Sequence, residues 1–238
     1  MTLELQIPAG ETFTELGGAA ALIAAALLLI EIIVFTIWPQ PATVTGYFTL
    51  LESNKLIGLI DFYLLEVIAY ALFIPLFLAL FIALRRFNES YMVLAIVLAI
   101  IGITVFLATN NSFSLLSLSD QYMAATTEAQ KSMISAAGQT LIANTGQRAV
   151  GGFNIGFLLI SVAGLIVSTV MLRSNIFSKA TAYVGILAFA ISLADYFRIV
   201  LVPSSIILIL IIAIASGLLL LIWLVMVGQK LLQRGKVS

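Results

Sequence analysis

The chain contains no cysteine and no histidine. The first absence excludes disulfides, thiolate nucleophiles and thiolate metal sites. Together the two remove Ser–His and Cys–His couples, imidazole ligation of haem and the usual zinc sites. A metal would have to be held by carboxylates, amides and water, which favours magnesium, calcium or manganese over zinc. The simpler expectation is no metal and no cofactor. Charge is scarce as well: 9% of residues are charged, against roughly a quarter in a soluble domain. The 11 basic and 11 acidic residues balance, so there is no basic field for nucleic acid and no polybasic run to hold anionic lipid. Hydrophobic residues make up 62% of the chain and its mean hydropathy is +1.19. Bilayer is the solvent that suits this composition.

A spanning helix needs about 20 apolar residues. Six stretches meet that length: Gly17 to Trp38, Leu56 to Leu84, Tyr91 to Ala108, Gly152 to Met171, Ser178 to Val200 and Ser204 to Val227. The expected fold is all-α, a single polytopic membrane helix bundle. The second stretch is long for one crossing and contains Pro75, so a tilted or kinked helix is predicted there. Pro39 and Pro41 end the first span, and Pro203 leaves only a tight turn between the fifth and sixth, which must form an antiparallel hairpin. The segment before the first span carries Glu4, Glu11 and Glu15 and no Lys or Arg, the wrong polarity for a secretory signal, so the first span is expected to remain in the mature protein.

Short cytoplasmic loops are enriched in Lys and Arg. With both termini inside, the inner segments hold Arg85, Arg86, Arg173, Lys179, Lys230, Arg234 and Lys236, and the outer ones hold Lys55, Lys131 and Arg148. That bias predicts an N-in, C-in topology. The one long connection, residues 109–150, then lies outside. Thr127 and Gln130 have capping-box spacing, and Ala129, Met133, Ala136, Ala137 and Leu141 recur at helical spacing, so an amphipathic helix is predicted over Thr127 to Asn144. It would lie on the membrane surface or cover the mouth of the bundle, or equally be a helical linker packed on neighbouring spans. Small residues at Gly17, Ala21 and Ala25, and at Gly152 and Gly156, mark faces for close helix packing within the chain. Trp38, Tyr47, Tyr122 and Trp223 suit interfacial anchoring, and Phe73, Phe77 and Phe81 lipid or core.

Inside these runs sit Glu31, Asp61, Glu66, Asp195 and Arg198. A charge near the bilayer centre costs roughly 2.5–3.5 kcal/mol on insertion scales, so each needs a partner, water or a task. Under the predicted topology all fall in the outer half of the membrane, while the inner half is almost purely apolar. That asymmetry predicts an outward-facing polar pocket. Asp195 and Arg198 are three residues apart and can pair on one helix face. Tyr63, Glu66 and Tyr70 share a face, whereas Asp61 points about 140° from Glu66 and lies close enough to the interface to be solvated. The expected network has Arg198 bridging Asp195 and a second acid, with Glu66 preferred and Tyr63 or Tyr70 donating to it. The alternative is a buried ion pair that only fixes helix register. Glu31 is expected to be protonated or paired with Arg198 or Arg148. Asn110, Asn111, Asp120, Arg148 and Asn154 form the predicted rim.

The run SLSDQYMAATTEAQKSMISAAG (Ser117 to Gly138), preceded by LAIIGITVFLATNNSFSLL and followed by MLRSNIFSKATAYVGI (Met171 to Ile186), resembles bacterial and archaeal multi-pass membrane proteins grouped as a domain of unknown function. The resemblance runs from the second span to the sixth. It implies a six-span integral membrane protein and treats the region of Asp120, Tyr122, Thr127 and Glu128 as a family feature. It brings no activity and no site residues.

Three function classes remain. A binding protein or accessory subunit would hold a lipid headgroup or small polar or anionic ligand, with Arg198 meeting an anionic group, alone or beside partner membrane subunits. A proton-coupled transporter would use Glu31 or Glu66. An intramembrane enzyme would use carboxylate acid–base chemistry. The first is preferred: a transporter should continue its polar path into the inner half, and the carboxylates show no paired spacing for an enzyme.

Overall fold

The computed structural model describes residues 9–145, 154–201 and 206–235. Among these, eleven helices and no strands occur. Six helical segments are long and apolar enough to cross a membrane. They are α1 (Ala9–Ile37), the broken pair α4 (Leu64–Ala71) and α5 (Phe73–Leu84), α6 (Glu89–Thr109), α9 (Ile155–Arg173), α10 (Lys179–Leu201) and α11 (Ile206–Gly235). Packing follows chain order and then closes: α1 on α5, α5 on α6, α6 on α9, α9 on α10, α10 on α11, and α11 back on α1. The result is a six-membered ring of spans. The α10–α11 packing predicted for the last two spans is present; Pro203 lies outside the described residues.

Small residues set the closest approaches. Gly17 lies against Ala79 and the Pro75 carbonyl of α5, and Gly18 against Gly228 and Leu232 of α11, so the Gly/Ala face of α1 is used inside the chain. Ala20, Ala21, Ala24 and Ala25 of the same helix are all buried. On α9 the close partner is Gly102 of α6: a Cβ on Gly156 would sit 2.6 Å from the Gly102 carbonyl oxygen. Gly152 lies outside the described residues.

Four further helices, α2 (Val44–Ser53), α3 (Lys55–Asp61), α7 (Ser112–Ala124) and α8 (Glu128–Thr145), pack on one another at one end of the ring. They form a cap with its own apolar core of Val44, Tyr47, Phe48, Leu51, Phe62, Leu115 and Ile142. Short polar caps delimit these helices. Thr43 accepts from the Gly46 amide (3.1 Å) and Asn54 from the Ile57 amide (3.1 Å). The predicted capping box on α8 is present: Thr127 Oγ1 accepts from the Gln130 amide (3.2 Å), and Gln130 Oε1 accepts from the Thr127 amide (3.3 Å). Each such cap contributes about 1 kcal/mol.

The cap corrects several expectations. The long connection holds two helices, because Asn110 and Asn111 break the apolar run and α7 turns into the cap. The packed face of α8 is Ile134, Gly138 and Ile142, with Gly138 against Val44 and Phe48; Met133, Ala129, Ala136 and Ala137 are exposed. The second span starts at Leu64, since Tyr63 adopts a left-handed φ of 66° that ends α3. A non-glycine residue there costs about 1–2 kcal/mol. The predicted Pro75 effect appears as a break at Leu72, between α4 and α5, where the missing proline N–H loosens the turn. Tyr47 and Trp223 are not interfacial anchors. Tyr47 belongs to the cap core, and Trp223 is wholly buried with Phe189 edge-on at 5.1 Å. Trp38 is exposed and Tyr122 half-buried against Phe48.

Lys55 and Asp120 tie α3 to α7 by an ion pair of 3.0 Å, both side chains 59% exposed. Exposed pairs contribute about 0–1 kcal/mol. Asp120→Ala is therefore expected to shift the unfolding midpoint in detergent by no more than about 3 °C; a larger loss would mean the pair is the cap's main tie.

Candidate functional site

All the predicted site residues among those described lie at or near the capped end, but they fall into two groups. The first is on α1, α3 and α4, which pack together. Glu31 and Glu66 are buried on α1 and α4, and Tyr63 is buried with its ring edge-on to Phe35 of α1 at 6.2 Å. Asp61 belongs here as well. The expectation that it is solvated is wrong: it is 0% exposed. The left-handed turn at Tyr63 sends Phe62 into the cap core, against Tyr47 at 5.4 Å.

The second group surrounds a cavity of about 170 Å³ between α4, α5, α9, α10 and α11. Its polar lining comes from Tyr70, Asn154, Ser161, Ser192, Asp195, Tyr196 and Ser216; its apolar lining includes Phe73, Phe157, Ile160, Phe189 and Leu220. Tyr70 joins an aromatic cluster with Phe73, Phe106 and Phe157, at centroid distances of 4.8, 5.0 and 4.7 Å. Asn154 caps α9 by accepting from the Phe157 amide (3.3 Å), and its carbonyl accepts from the Tyr196 hydroxyl (2.9 Å). The two helices are thereby pinned at the mouth of the cavity. Gly217 leaves open space where a side chain would sit.

The predicted pair forms: Arg198 Nε donates to Asp195 Oδ1. The Arg198 side chain is 4% exposed and that of Asp195 31%. Nη1 and Nη2 of Arg198 are buried and find no hydrogen-bond partner among the described residues. Asp195, Tyr70 and Asn154 share the cavity. Glu31, Tyr63 and Glu66 do not line it, and α4 packs on α1 and α6 while α10 packs on α9 and α11.

Of the remaining predicted rim, Asn110 and Asn111 sit at the α6–α7 break. Asn110 Oδ1 accepts from the Ser112 amide (3.0 Å), and Asn111 Nδ2 donates to the Thr109 carbonyl (3.0 Å). Asp120 is placed on the cap surface with Lys55, and Arg148 lies outside the described residues. Ser161, Ser192, Tyr196 and Ser216 were not foreseen. A spacing signal for them exists: Asn154 and Ser161 are seven apart, and Ser192 stands three and four before Asp195 and Tyr196, so each set shares a helix face. Among the described residues no cluster of three or more carboxylates offers a metal site.

A closed ring of six helical segments long and apolar enough to cross a membrane, one end covered by four shorter helices, defines a multi-pass helical membrane protein. The chain belongs to the family described as Domain of unknown function (DUF4386), whose model matches residues 16–228. The match takes in most of the first span, which lay outside the resemblance read from the sequence. No curated protein and no solved structure matches the chain.

Proposed function

We propose that this protein is a membrane-embedded binding protein whose cavity at the capped end holds a lipid headgroup or another small polar molecule. We place that end on the outer side of the membrane, with both termini in the cytoplasm. The observation that carries the reading is the two-faced lining of the cavity. Hydroxyls and a carboxylate from Ser161, Ser192, Tyr196 and Asp195 meet aromatic and aliphatic walls from Phe157, Ile160, Phe189 and Leu220. Such a site suits a ligand with a hydrogen-bonding head and an apolar body. Donors on the head would meet Asp195, which lines the cavity; Arg198 lies outside the lining and bears on the ligand through its pairing with that carboxylate. Orientation rests on Arg85, Arg86, Arg173, Lys179, Lys230 and Arg234 at the uncapped end, against Lys55 and Lys131 in the cap helices.

Two measurements test this. A Ser192→Cys variant on intact cells is expected to react with a membrane-impermeant maleimide; reaction only in inverted vesicles would reverse the orientation. Native mass spectrometry of the purified protein is expected to show a retained lipid or polar species that Gly217→Phe, which fills the cavity, removes at unchanged folded yield. Equal retention by both proteins would reject the cavity as the site.

A further inference from the structure

Asp61 stands apart from the cavity, at the seam where the cap meets the ring. It is the last residue of α3, it is wholly buried, and neither carboxylate oxygen has a hydrogen-bond partner among the described residues. Its backbone carbonyl is satisfied by the Gln40 side-chain amide at 2.7 Å, so the carboxylate alone is left bare. The helices packed on α3 are α1, α2, α4 and α7. At this end they bring Glu31 from α1, Tyr47 and Glu52 from α2, Glu66 and Tyr70 from α4, and Asp120 and Tyr122 from α7, with Tyr63 in the turn between α3 and α4. Every one of these is an acid or a phenol. Among the described residues of these helices at this end the one cation is Lys55, and it is held at the surface by Asp120.

An ionised carboxylate buried without a donor or a counter-charge is strongly disfavoured. Something positive must accompany it or neutralise it. We infer that Asp61 is the anionic ligand of a site for one small monovalent cation, a proton or an alkali-metal ion, set into the joint between cap and ring. One carboxylate supplies one negative charge, which suits a single positive charge; a divalent ion takes several carboxylates, and no such cluster occurs among the described residues. Burial first, then the charges of Tyr63 and Asp61, raise the Tyr47 phenol well above its usual range, so it stays neutral and adds no negative charge at this end.

The neighbours of Asp61 make the site mechanically consequential. Phe62 sits in the cap core and its carbonyl accepts from the Ser112 hydroxyl of α7 at 2.6 Å. Tyr63, in its strained backbone, packs on Phe35 of the ring. Occupancy at Asp61 therefore bears on how firmly the cap is docked. Burial pushes the Asp61 carboxyl from its ordinary 3.8 up to about 6. The folded state thus binds the proton more tightly than the unfolded chain. Stability is full at low pH, falls as pH rises from 3.8 to about 6, and stays at the lower level above that.

The test is thermal unfolding of the full chain and of Asp61→Asn in nanodiscs, from about pH 4.5 to about pH 8 in choline chloride, then with NaCl or KCl replacing choline at about pH 8. A proton site predicts that the wild-type midpoint falls by about 4 °C or more relative to the variant as pH rises, with no effect of alkali ions. An alkali site predicts that NaCl or KCl raises the wild-type midpoint at high pH and leaves the variant unchanged. Parallel behaviour of the two proteins across pH and cation would overturn the inference. Should Asp61→Asn yield no folded protein, pH-difference infrared spectroscopy of the wild type decides. A buried carboxyl C=O band that titrates near pH 6, or an alkali-dependent midpoint, supports the site; neither signal overturns it. The cavity ligand plays no part in these readouts, so failure here leaves the proposed function standing.

Discussion

Asp195→Ala is expected to lower the unfolding free energy by roughly 3–5 kcal/mol, far more than truncation of an exposed acid. The acid itself is 31% exposed, but the residue it leaves behind is not: the Arg198 side chain is 4% exposed. Nε would lose its carboxylate, and Nη1 and Nη2 already lack a hydrogen-bond partner among the described residues. A guanidinium cannot shed its charge at any working pH, so the penalty cannot be relieved by deprotonation. Replacing both residues, as Asp195→Leu with Arg198→Met, should recover most of the loss, because the uncompensated charge disappears along with its partner. Denaturant unfolding of the two variants in detergent gives both numbers. A loss under about 1 kcal/mol for Asp195→Ala would show that another group balances Arg198. A double variant no better than the single would show that the pair holds more than its own charges.

The second large effect lies at the α6–α9 crossing. Gly156→Val is expected to abolish folded yield or to lower the midpoint by 10 °C or about that, since overpacking alone costs about 1–3 kcal/mol and here the obstacle is backbone. Its Cβ would stand 2.6 Å from the Gly102 carbonyl oxygen and 2.9 Å from Cβ of Phe106. No rotamer change moves a carbonyl in the middle of a helix. Gly102→Val meets the reciprocal obstacle, the Gly156 carbonyl at 2.7 Å, and should behave alike. Gly217→Ala is the control: its Cβ meets nothing within 4 Å, and its midpoint should stay within about 2 °C of wild type. Equal tolerance of all three would mean that α6 and α9 do not cross so closely.

The spans were legible because bilayer thickness imposes a length and a composition that any window over the sequence detects. The Gly/Ala faces were legible for a related reason: helices without a hydrophobic drive to associate use small residues to approach. The Asp195–Arg198 pair followed from helical spacing, and the α8 start from its capping box. Other features left no such trace. Apolar content does not distinguish a face turned to lipid from one turned inward, so buried Trp223 and Tyr47 read as interfacial anchors. A left-handed tyrosine has no composition signal, since that conformation is normally glycine's; hence α3 was fused to the second span and Asp61 was assigned to solvent. The cap helices also carry apolar faces, and the Asn110–Asn111 pair marks where the third span gives way to the cap, whereas Asn54 only divides α2 from α3 within it. The cavity required knowing which faces of α9, α10 and α11 meet, which is a property of packing and not of any one helix.

The contact of α1 with α11 has a consequence for biogenesis. In chain order α1 finds one of its two ring neighbours, α5, early, yet Gly18 can meet Gly228 and Leu232 only after α11 has been made. Until then that side of α1 is left facing lipid, with its backbone thinly covered. Release of a chain stalled before α11 should therefore yield an open, arc-shaped intermediate, prone to capture by quality-control proteases or to pairing with another unfinished copy.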